Sequence, residues 1–304
     1  MTFRKPLPSQ LPTVFSVADA YARGFTRSQM RNRALTTPFH GTRITAGVSL
    51  TLELACRAMA SRLPRGSAFS HRTAALLHSM ALPLFADALL DITVPTPIRA
   101  PRRRGVRGHS AVLTSADLMS LSGFPVTTLE RTWCDLGVVL DLPDLVAAAD
   151  SLLWHESPRT TRLNLAAAIE AYPSRAGRAV LRRALTLTSD HSRSRPESLV
   201  RVDLELSVLP TPVANLEVYL PIARKTVYLD LAYPEYKLEL EYHGDHHRST
   251  VTQWRTDVRR SNDIGDEGWQ ALQFTGDDLP ALPDLRQRVA RRLRMLGWNG
   301  EPRR

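Results

Sequence analysis

Two short segments near the carboxy-terminal end of the chain alternate between apolar and polar positions, as half-buried β-strands do. The first covers residues 228–232 and places Asp230 on the same face as Tyr228 and Ala232. The second covers 239–243 and places Glu241 on one face in the same way. Antiparallel pairing through a turn around Pro234 therefore predicts that Asp230 and Glu241 lie side by side.

These two segments carry more ionisable side chains than buried strands usually do. On the second segment, Glu239, Glu241 and His243 share one face. Burying unpaired carboxylates is unfavourable, so we expect them to hold a cation. Two hard oxygen ligands on adjacent strands, with open positions for water and phosphate, are typical of a Mg²⁺ or Mn²⁺ site for phosphodiester hydrolysis. Asp230 and Glu241 are the predicted metal ligands.

Further polar residues flank these strands and have two interpretations each. Glu197 completes a capping box with Ser194 at the start of a predicted helix, and it either only caps that helix or also supports the metal site. His247, in the turn after the second strand, is placed to act as a general acid or base. Arg260 either forms an ion pair with Asp257 on the next predicted helix or faces the scissile phosphate.

The amino-terminal pattern predicts a helix from Phe15 that is closed by Gly24, followed by a second helix with a capping box at Thr26. A helix, a tight turn and a helix form a helix-turn-helix signature, and a small hairpin resembling a wing follows over residues 39–45. This region either contacts nucleic acid or is a helical hairpin with a solvated arginine face. The predicted nucleic-acid-binding side chains here are Arg27, Arg31, Arg33 and Arg43.

The middle of the chain predicts an apolar helix over 70–79 and a strand over 92–94. The loop 98–109 is interrupted by proline and glycine, and it carries Arg102, Arg103 and Arg104, which either clamp phosphates or form a solvated hairpin tip. The sequence from 136 to 184 is largely helical in pattern, and the short polar stretch 186–194 is the best candidate for a linker.

Composition narrows the class of protein. The chain has 304 residues with 43% apolar content, which predicts two or more soluble domains. Residues 1–110 carry 16 basic and 4 acidic side chains, which favours a polyanionic partner such as DNA. Arginine greatly outnumbers lysine, as codon bias would produce, but bias does not explain this clustering.

Cys56 and Cys134 suggest neither a disulfide framework nor a zinc ribbon, so a reducing cytoplasm is the simplest compartment. The sequence contains no run of 18 apolar residues, and its first twelve residues lack a signal-peptide core, so we expect no membrane association.

The carboxy-terminal motifs resemble the very-short-patch-repair-type (Vsr-like) endonuclease domains of the PD-(D/E)XK superfamily over roughly residues 190–300. The resemblance rests on 194–201, 212–215, 228–248, Asp257, Arg260 and Gly268–Trp269. The sequence departs from the superfamily pattern in having Leu229 at the proline position and His243 at the lysine position. The resemblance implies a mixed sheet flanked by helices and a catalytic set of Asp230, Glu241, His243, Glu197 and His247.

Residues 15–153 are similar to the AbiEi-type antitoxin family, in which a winged helix-turn-helix precedes a larger domain. The segments that carry this similarity are 55–63, 70–78, 92–94, 105–109, 125–132 and 135–136. Modules of this type are inferred to bind DNA and repress transcription, so the similarity implies a DNA-binding role for the amino-terminal part.

The complete prediction is a multi-domain α/β protein. It consists of a winged helix-turn-helix over 1–50, an antitoxin-like α/β and helical region over 51–185, and a restriction-endonuclease-like domain over 190–304. The predicted function is Mg²⁺- or Mn²⁺-dependent endonucleolytic cleavage of DNA. The alternative is a non-catalytic DNA-binding regulator, or an antitoxin-like protein, whose nuclease domain is degenerate.

Overall fold

The computed structural model describes residues 12–244 and 251–300, with side chains described over 12–244 and 255–300. It shows a multi-domain α/β protein whose chain divides into two compact units. Unit 1 comprises Met1–Met80, Leu84–Val139 and Ala171–Arg175. Unit 2 comprises Ala81–Pro83, Leu140–Glu170 and Ala176–Arg304.

Unit 1 contains two sheets and several short helices. Its helices are α1 Val17–Ala22, α2 Arg27–Met30, α3 Leu52–Ala60, α4 His71–Leu77 and α5 Leu129–Leu136. Its strands are β1 Val14–Ser16, β2 Leu35–Thr36, β3 Thr42–Thr45, β4 Ala68–Phe69, β5 Leu90–Pro95, β6 Val106–Ala111, β7 Leu118–Leu121 and β8 Phe124–Thr127. The described strands pair in the orders β1-β3-β2 and β6-β5-β4-β8-β7.

The start of unit 1 contains the predicted pair of helices, although both are short. The first begins at Val17 rather than Phe15, because β1 precedes it and the Ser16 hydroxyl accepts the Asp19 N–H. The chain then turns at Gly24, whose φ of 83° is easily adopted only by glycine. The capping box at Thr26 is confirmed, and α2 is followed by the antiparallel β2–β3 hairpin.

A single hydrophobic cluster joins the start of unit 1 to its larger sheet. Ile44 of β3, Met59 of α3 and Phe69 of β4 belong to this cluster and are almost fully buried. The domain boundary predicted at residue 50 therefore falls inside a shared core. Burial of this large apolar surface is the main force that holds the two sheets together.

Unit 2 is built on one mixed sheet with helices on both of its faces. Its helices are α6 Leu142–Leu153, α7 Arg162–Ala171, α8 Arg178–Thr186, α9 Arg195–Glu205, α10 Val251–Asp266 and α11 Leu282–Met295. Its strands are β9 Val213–Leu220, β10 Lys225–Tyr233, β11 Leu238–His243 and β12 Gln270–Thr275. The described strands are ordered β12-β11-β10-β9, with β11 and β12 parallel and the other neighbours antiparallel.

The two faces of this sheet contact different helices. Val200 of α9 and Val289 of α11 pack with Leu240 on one face, whereas Ile264 of α10 packs with Leu229 in a separate cluster. Glu239 and Glu241 alternate with Leu240, so the acids of β11 lie on the opposite face from α9 and α11.

The stretch predicted to be a linker lies within unit 2 and is bonded to it. The Ser189 N–H donates to Asp150 at 2.7 Å, and the Arg201 guanidinium donates to Ser192, which is buried. The sequence reads as a linker because it is short and polar, but its polar groups are used in these internal hydrogen bonds. None of the helices that the structure describes has the length and apolar character needed to cross a membrane.

Candidate functional site

Asp230 lies at a local irregularity in the sheet of unit 2. The pairing of β10 with β9 includes Leu229 and Leu231 but omits Asp230, and the pairing with β11 also ends at Leu231. The residue across from Asp230 on β9 is Asn215, whose φ is 47°. Asp230 Oδ2 instead accepts the backbone N–H of Tyr242 at 3.1 Å. The side chain thereby replaces a ladder hydrogen bond, which holds the carboxylate beside β11.

Glu241 lies close to Asp230, because the N–H of Tyr242, the next residue of β11, donates to the Asp230 carboxylate. The structure thus brings together the two residues that the strand pattern predicted to be neighbours. Their proximity is also electrostatic, since the Glu241 carboxylate raises the pKa of Asp230. Burial is the larger cause of that raised pKa, and the Tyr242 N–H opposes it.

Arg260 on α10 is a cation that the structure places in this acidic cluster. Its Nη1 donates to Glu241 at 2.6 Å, and its Nη2 donates to Glu239 at 3.1 Å. Nη2 also donates to the carbonyl of Tyr228 at 2.7 Å. Of the two roles predicted for Arg260, an ion pair is therefore observed, and its partners are Glu239 and Glu241 of β11.

Glu239 is a member of the cluster that the sequence did not assign to the site. It is 1% exposed, and burial raises its pKa to about 7 even though Arg260 opposes that shift. The alternation along β11 places Glu239 on the same face as Glu241, and this was the sequence signal that could have assigned Glu239 to the site. Its contact with the shared guanidinium depends on α10, which is a separate element.

Glu197 caps α9, and it also lies close enough to Asp230 for the Asp230 charge to affect its pKa. Its Oε1 accepts from the Ser194 hydroxyl at 2.7 Å and its Oε2 from the Arg193 N–H at 3.0 Å, while its own N–H donates to Ser194 Oγ. Burial first, and then the nearby Asp230 carboxylate, raise the pKa of Glu197 to about 7. The two predicted roles are therefore compatible, because the cap orients a carboxyl group that stands beside the acids of the sheet.

The remaining predicted catalytic residues are histidines. His243 Nε2 lies 3.1 Å from Glu241 Oε2, so the side chain lies in contact with the cluster. The imidazole is about one-third exposed and reaches solvent as well. His247 lies outside the described residues.

We define the carboxylate site as Glu197, Asp230, Glu239 and Glu241. Carboxylate oxygens are the donors that Mg²⁺ and Mn²⁺ prefer, and burial together with mutual repulsion makes these acids unfavourable as anions without a cation. The donor chemistry therefore fits a divalent metal. Among the side chains described over 12–244 and 255–300, however, no group of three or more acids, histidines or cysteines is arranged to enclose an ion. A metal at this site would rely on Asp230 and Glu241, with water completing its shell.

The predicted nucleic-acid contacts in unit 1 fall into two groups. Arg27, Arg31 and Arg33 are exposed, as are the loop residues 102–104. Arg43 is half-buried, and its guanidinium donates to the carbonyls of Met30 and Thr42 at 2.9 Å. These two hydrogen bonds tie the end of α2 to β3, so Arg43 positions the exposed arginines of this region.

A second ionic cluster lies in unit 1, around Asp91. Its carboxylate accepts from Arg72 Nε at 3.2 Å and contacts His109 Nε2 at 2.9 Å. The His109 ring stacks on His71 at 3.7 Å between centroids, and burial lowers the pKa of His71 to about 3.

The same cluster continues to Asp135, which is 1% exposed. Its Oδ1 accepts from Arg131 Nε and from the hydroxyl of Tyr172, both at 2.9 Å. We define the unit 1 ionic cluster by its four acids and three arginines, Asp87, Asp91, Asp117, Asp135, Arg72, Arg107 and Arg131.

Comparisons with known proteins provide little further information. No family model matches the sequence, and no curated protein is similar to it. One solved structure with some similarity is that of the RV2827C protein from Mycobacterium tuberculosis, at 18% sequence identity and a TM-score of 0.40. The similarity covers 71% of this chain and 86% of that protein.

Proposed function

We propose that this protein is a DNA-binding, metal-dependent endonuclease whose catalytic centre is the carboxylate site of unit 2. The observation that carries the proposal is the surplus of acid at that site. Four carboxyl groups lie in this cluster, Arg260 bonds two of them, Glu239 and Glu241, and the pKa values of Glu197 and Glu239 are raised to about 7. Such an arrangement gains stability from an added divalent cation, and perturbed acids of this kind are concentrated at functional sites.

The proposed roles follow from the positions of the side chains. Asp230 and Glu241 bind Mg²⁺ or Mn²⁺, which supplies a hydroxide nucleophile and neutralises charge on the phosphate when it is bound. Glu197 orients the site from the first turn of α9, where its own backbone cap holds it. His243, in contact with Glu241, accepts or donates a proton. The exposed Arg27, together with its neighbours in unit 1, contacts DNA phosphates.

A cleavage assay with a charge-removing variant tests the proposal. Purified protein is incubated with plasmid and linear DNA in the presence of Mg²⁺ or Mn²⁺, and nicked products are counted. Asp230→Asn keeps the shape of the side chain but removes the charge that holds the metal, so we expect cleavage to fall by more than about 100-fold, with DNA affinity nearly unchanged. Wild-type cleavage by this variant would end the assignment of the site.

One observation favours a second candidate function, a non-catalytic DNA-binding regulator. The guanidinium of Arg260 is bonded to Glu239 and Glu241 and so supplies a positive charge where the proposed metal would act. This internal ion pair neutralises the acids without a metal, which is sufficient for a protein that does not cleave DNA. The same assay distinguishes the candidates, because tight DNA binding without any metal-dependent nicking supports the regulator.

A further inference from the structure

A concave, positively charged surface runs along the outer side of β12 in unit 2. It has a volume of about 380 Å³. We call it the arginine groove and define it by Gln273, Arg288, Arg291, Arg292 and Met295. None of the described residues that line it is acidic, so the groove is a concentrated positive potential next to the sheet.

The arginines of the groove keep most of their hydrogen-bonding capacity. Arg288 donates to Asp278 at 2.6 Å and to the carbonyl of Gln273 at 3.0 Å. Arg292 donates to the amide oxygen of Gln270 at 2.9 Å, and Arg291 is exposed. Because each guanidinium has five N–H donors, these contacts hold the side chains in place and leave donors for an anion.

The edge of the sheet adds backbone donors to the same surface. β12 is the outermost described strand, and its Gln270 N–H donates inwards to the carbonyl of Lys237, just before β11. Backbone direction alternates along a strand, so the N–H groups of Ala271 and Gln273 point outwards. The Gln273 carbonyl also points outwards, because Arg288 donates a hydrogen bond to it from outside the sheet. Outward N–H groups beside guanidinium groups form an anion-binding surface.

The groove adjoins the carboxylate site through one side chain. Gln273 on β12 is the register partner of Glu241 on β11, and its amide nitrogen lies 3.4 Å from Glu241 Oε2. Gln273 thereby connects the groove, at the edge of the sheet, with Glu241 on the face opposite α11. An isolated acidic site repels polyanions, whereas a flanking positive track supplies the attraction that such a substrate needs.

We propose that the arginine groove binds the phosphodiester backbone of a nucleic-acid strand and leads it to the carboxylate site. This inference rests on the proposed endonuclease function, and it assigns the track of the substrate on unit 2. The recognition is by charge and backbone geometry, so it does not depend on base sequence.

Binding by the full-length protein without divalent metal tests the groove separately from catalysis. The test variant combines Arg291→Gln and Arg292→Gln. The control combines Arg182→Gln and Arg183→Gln, which removes the same charge from exposed positions on α8 of the same unit. Fluorescence anisotropy with labelled DNA duplex is measured over a series of salt concentrations. Loss of two phosphate contacts lowers the slope of log K against log salt by about 1.8 in the test variant. The control keeps the wild-type slope.

An equal slope in the test variant and the control overturns the proposal. Titration with inorganic phosphate separates a polymer track from a small-anion site. If free phosphate binds the wild type, competes with DNA and loses affinity only in the test variant, while the DNA slope stays unchanged, the groove is a small-anion site and the proposal fails. If the slope falls as expected but no DNA is ever cleaved, the groove stands and the endonuclease function fails. If cleavage occurs and the test variant retains the wild-type KM and slope, only the groove assignment fails.

Discussion

The unit 1 ionic cluster and the carboxylate site of unit 2 both bury acids, but they differ in how those acids are neutralised. In unit 1, every acid of the cluster forms an ion pair with an arginine, Asp87 and Asp91 with Arg72, and Asp117 and Asp135 with Arg131. In unit 2, Arg260 pairs with Glu239 and Glu241, and the described residues show no such ion pair for Asp230 or Glu197, on which Arg193 acts through its charge. A cluster in which every acid is ion-paired holds its charges without an added cation, whereas acids that lack an ion pair favour one.

The difference also separates two roles that the same residue types can play. Buried charges that are fully paired and hydrogen-bonded stabilise a specific packing arrangement, and their removal damages the fold. Burial first, and neighbouring acids second, raise the pKa values of Glu197 and Glu239, and such acids are poised to change their protonation or to bind a metal. Residue composition alone does not distinguish these cases. The ion pairs that each acid forms do.

The largest effect is expected when the matched cluster is broken. Arg131→Met keeps the apolar stem but leaves Asp135 as an uncompensated buried charge, so we expect the free energy of unfolding to fall by about 3–5 kcal/mol. Urea unfolding, followed by hydrogen exchange of peptides from unit 1, measures the loss. Arg182→Met provides the matched control, because its pair with Glu170 is more than half exposed and should contribute at most about 1 kcal/mol. Similar losses in the two variants would contradict this account of the cluster.

A smaller loss, and one that metal can reverse, is expected at the carboxylate site. Arg260→Met leaves Glu239 and Glu241 without their shared donor and should cost about 1.5–3 kcal/mol in metal-free buffer. Mg²⁺ or Mn²⁺ should restore the loss, because the cation replaces the missing positive charge. The metal should give Arg131→Met no comparable recovery. Thermal melts of both variants with and without metal make the comparison, and equal responses would mean that the surplus acids do not bind a metal.

Strand alternation and hairpin pairing predicted the central geometry of unit 2 from the sequence. Both are short-range rules, and the turn after Tyr233 fixes the register that brings Asp230 and Glu241 together. The capping box at Thr26 was predictable for the same reason, since its partners are three residues apart. In these places local sequence contains all the participating groups.

Long-range pairings were beyond those rules. Arg260 and Glu239 are 21 positions apart in the sequence, and Arg201 and Asp150 are 51 positions apart, so no periodic pattern predicts either hydrogen bond. The polar stretch that contains Ser189 reads as a linker because its partner Asp150 is 39 positions away. The winged-helix interpretation of unit 1 and the endonuclease interpretation of unit 2 remain predictions.

The smallest expected effect, at most about 1.4 kcal/mol per pH unit for each group, is a pH dependence that belongs to the surplus acids. Glu197 and Glu239 have folded-state pKa values of about 7, above the ordinary glutamate value of 4.5. The folded state therefore binds more protons than the unfolded state between these values. The contribution of these two groups to metal-free stability should be highest below pH 4.5, fall as the pH rises to about 7 and then level off.

Chemical denaturation across this pH range, followed through peptides of unit 2, measures the slope. Glu197→Gln should remove the share of one group, because an amide does not titrate. Added Mg²⁺ should oppose the decline, since the metal binds the ionised carboxylates and gains affinity as they lose their protons. A metal-free profile that is flat from pH 4.5 to 7 would mean that Glu197 and Glu239 are as well compensated as the acids of unit 1, and the contrast between the two clusters would disappear.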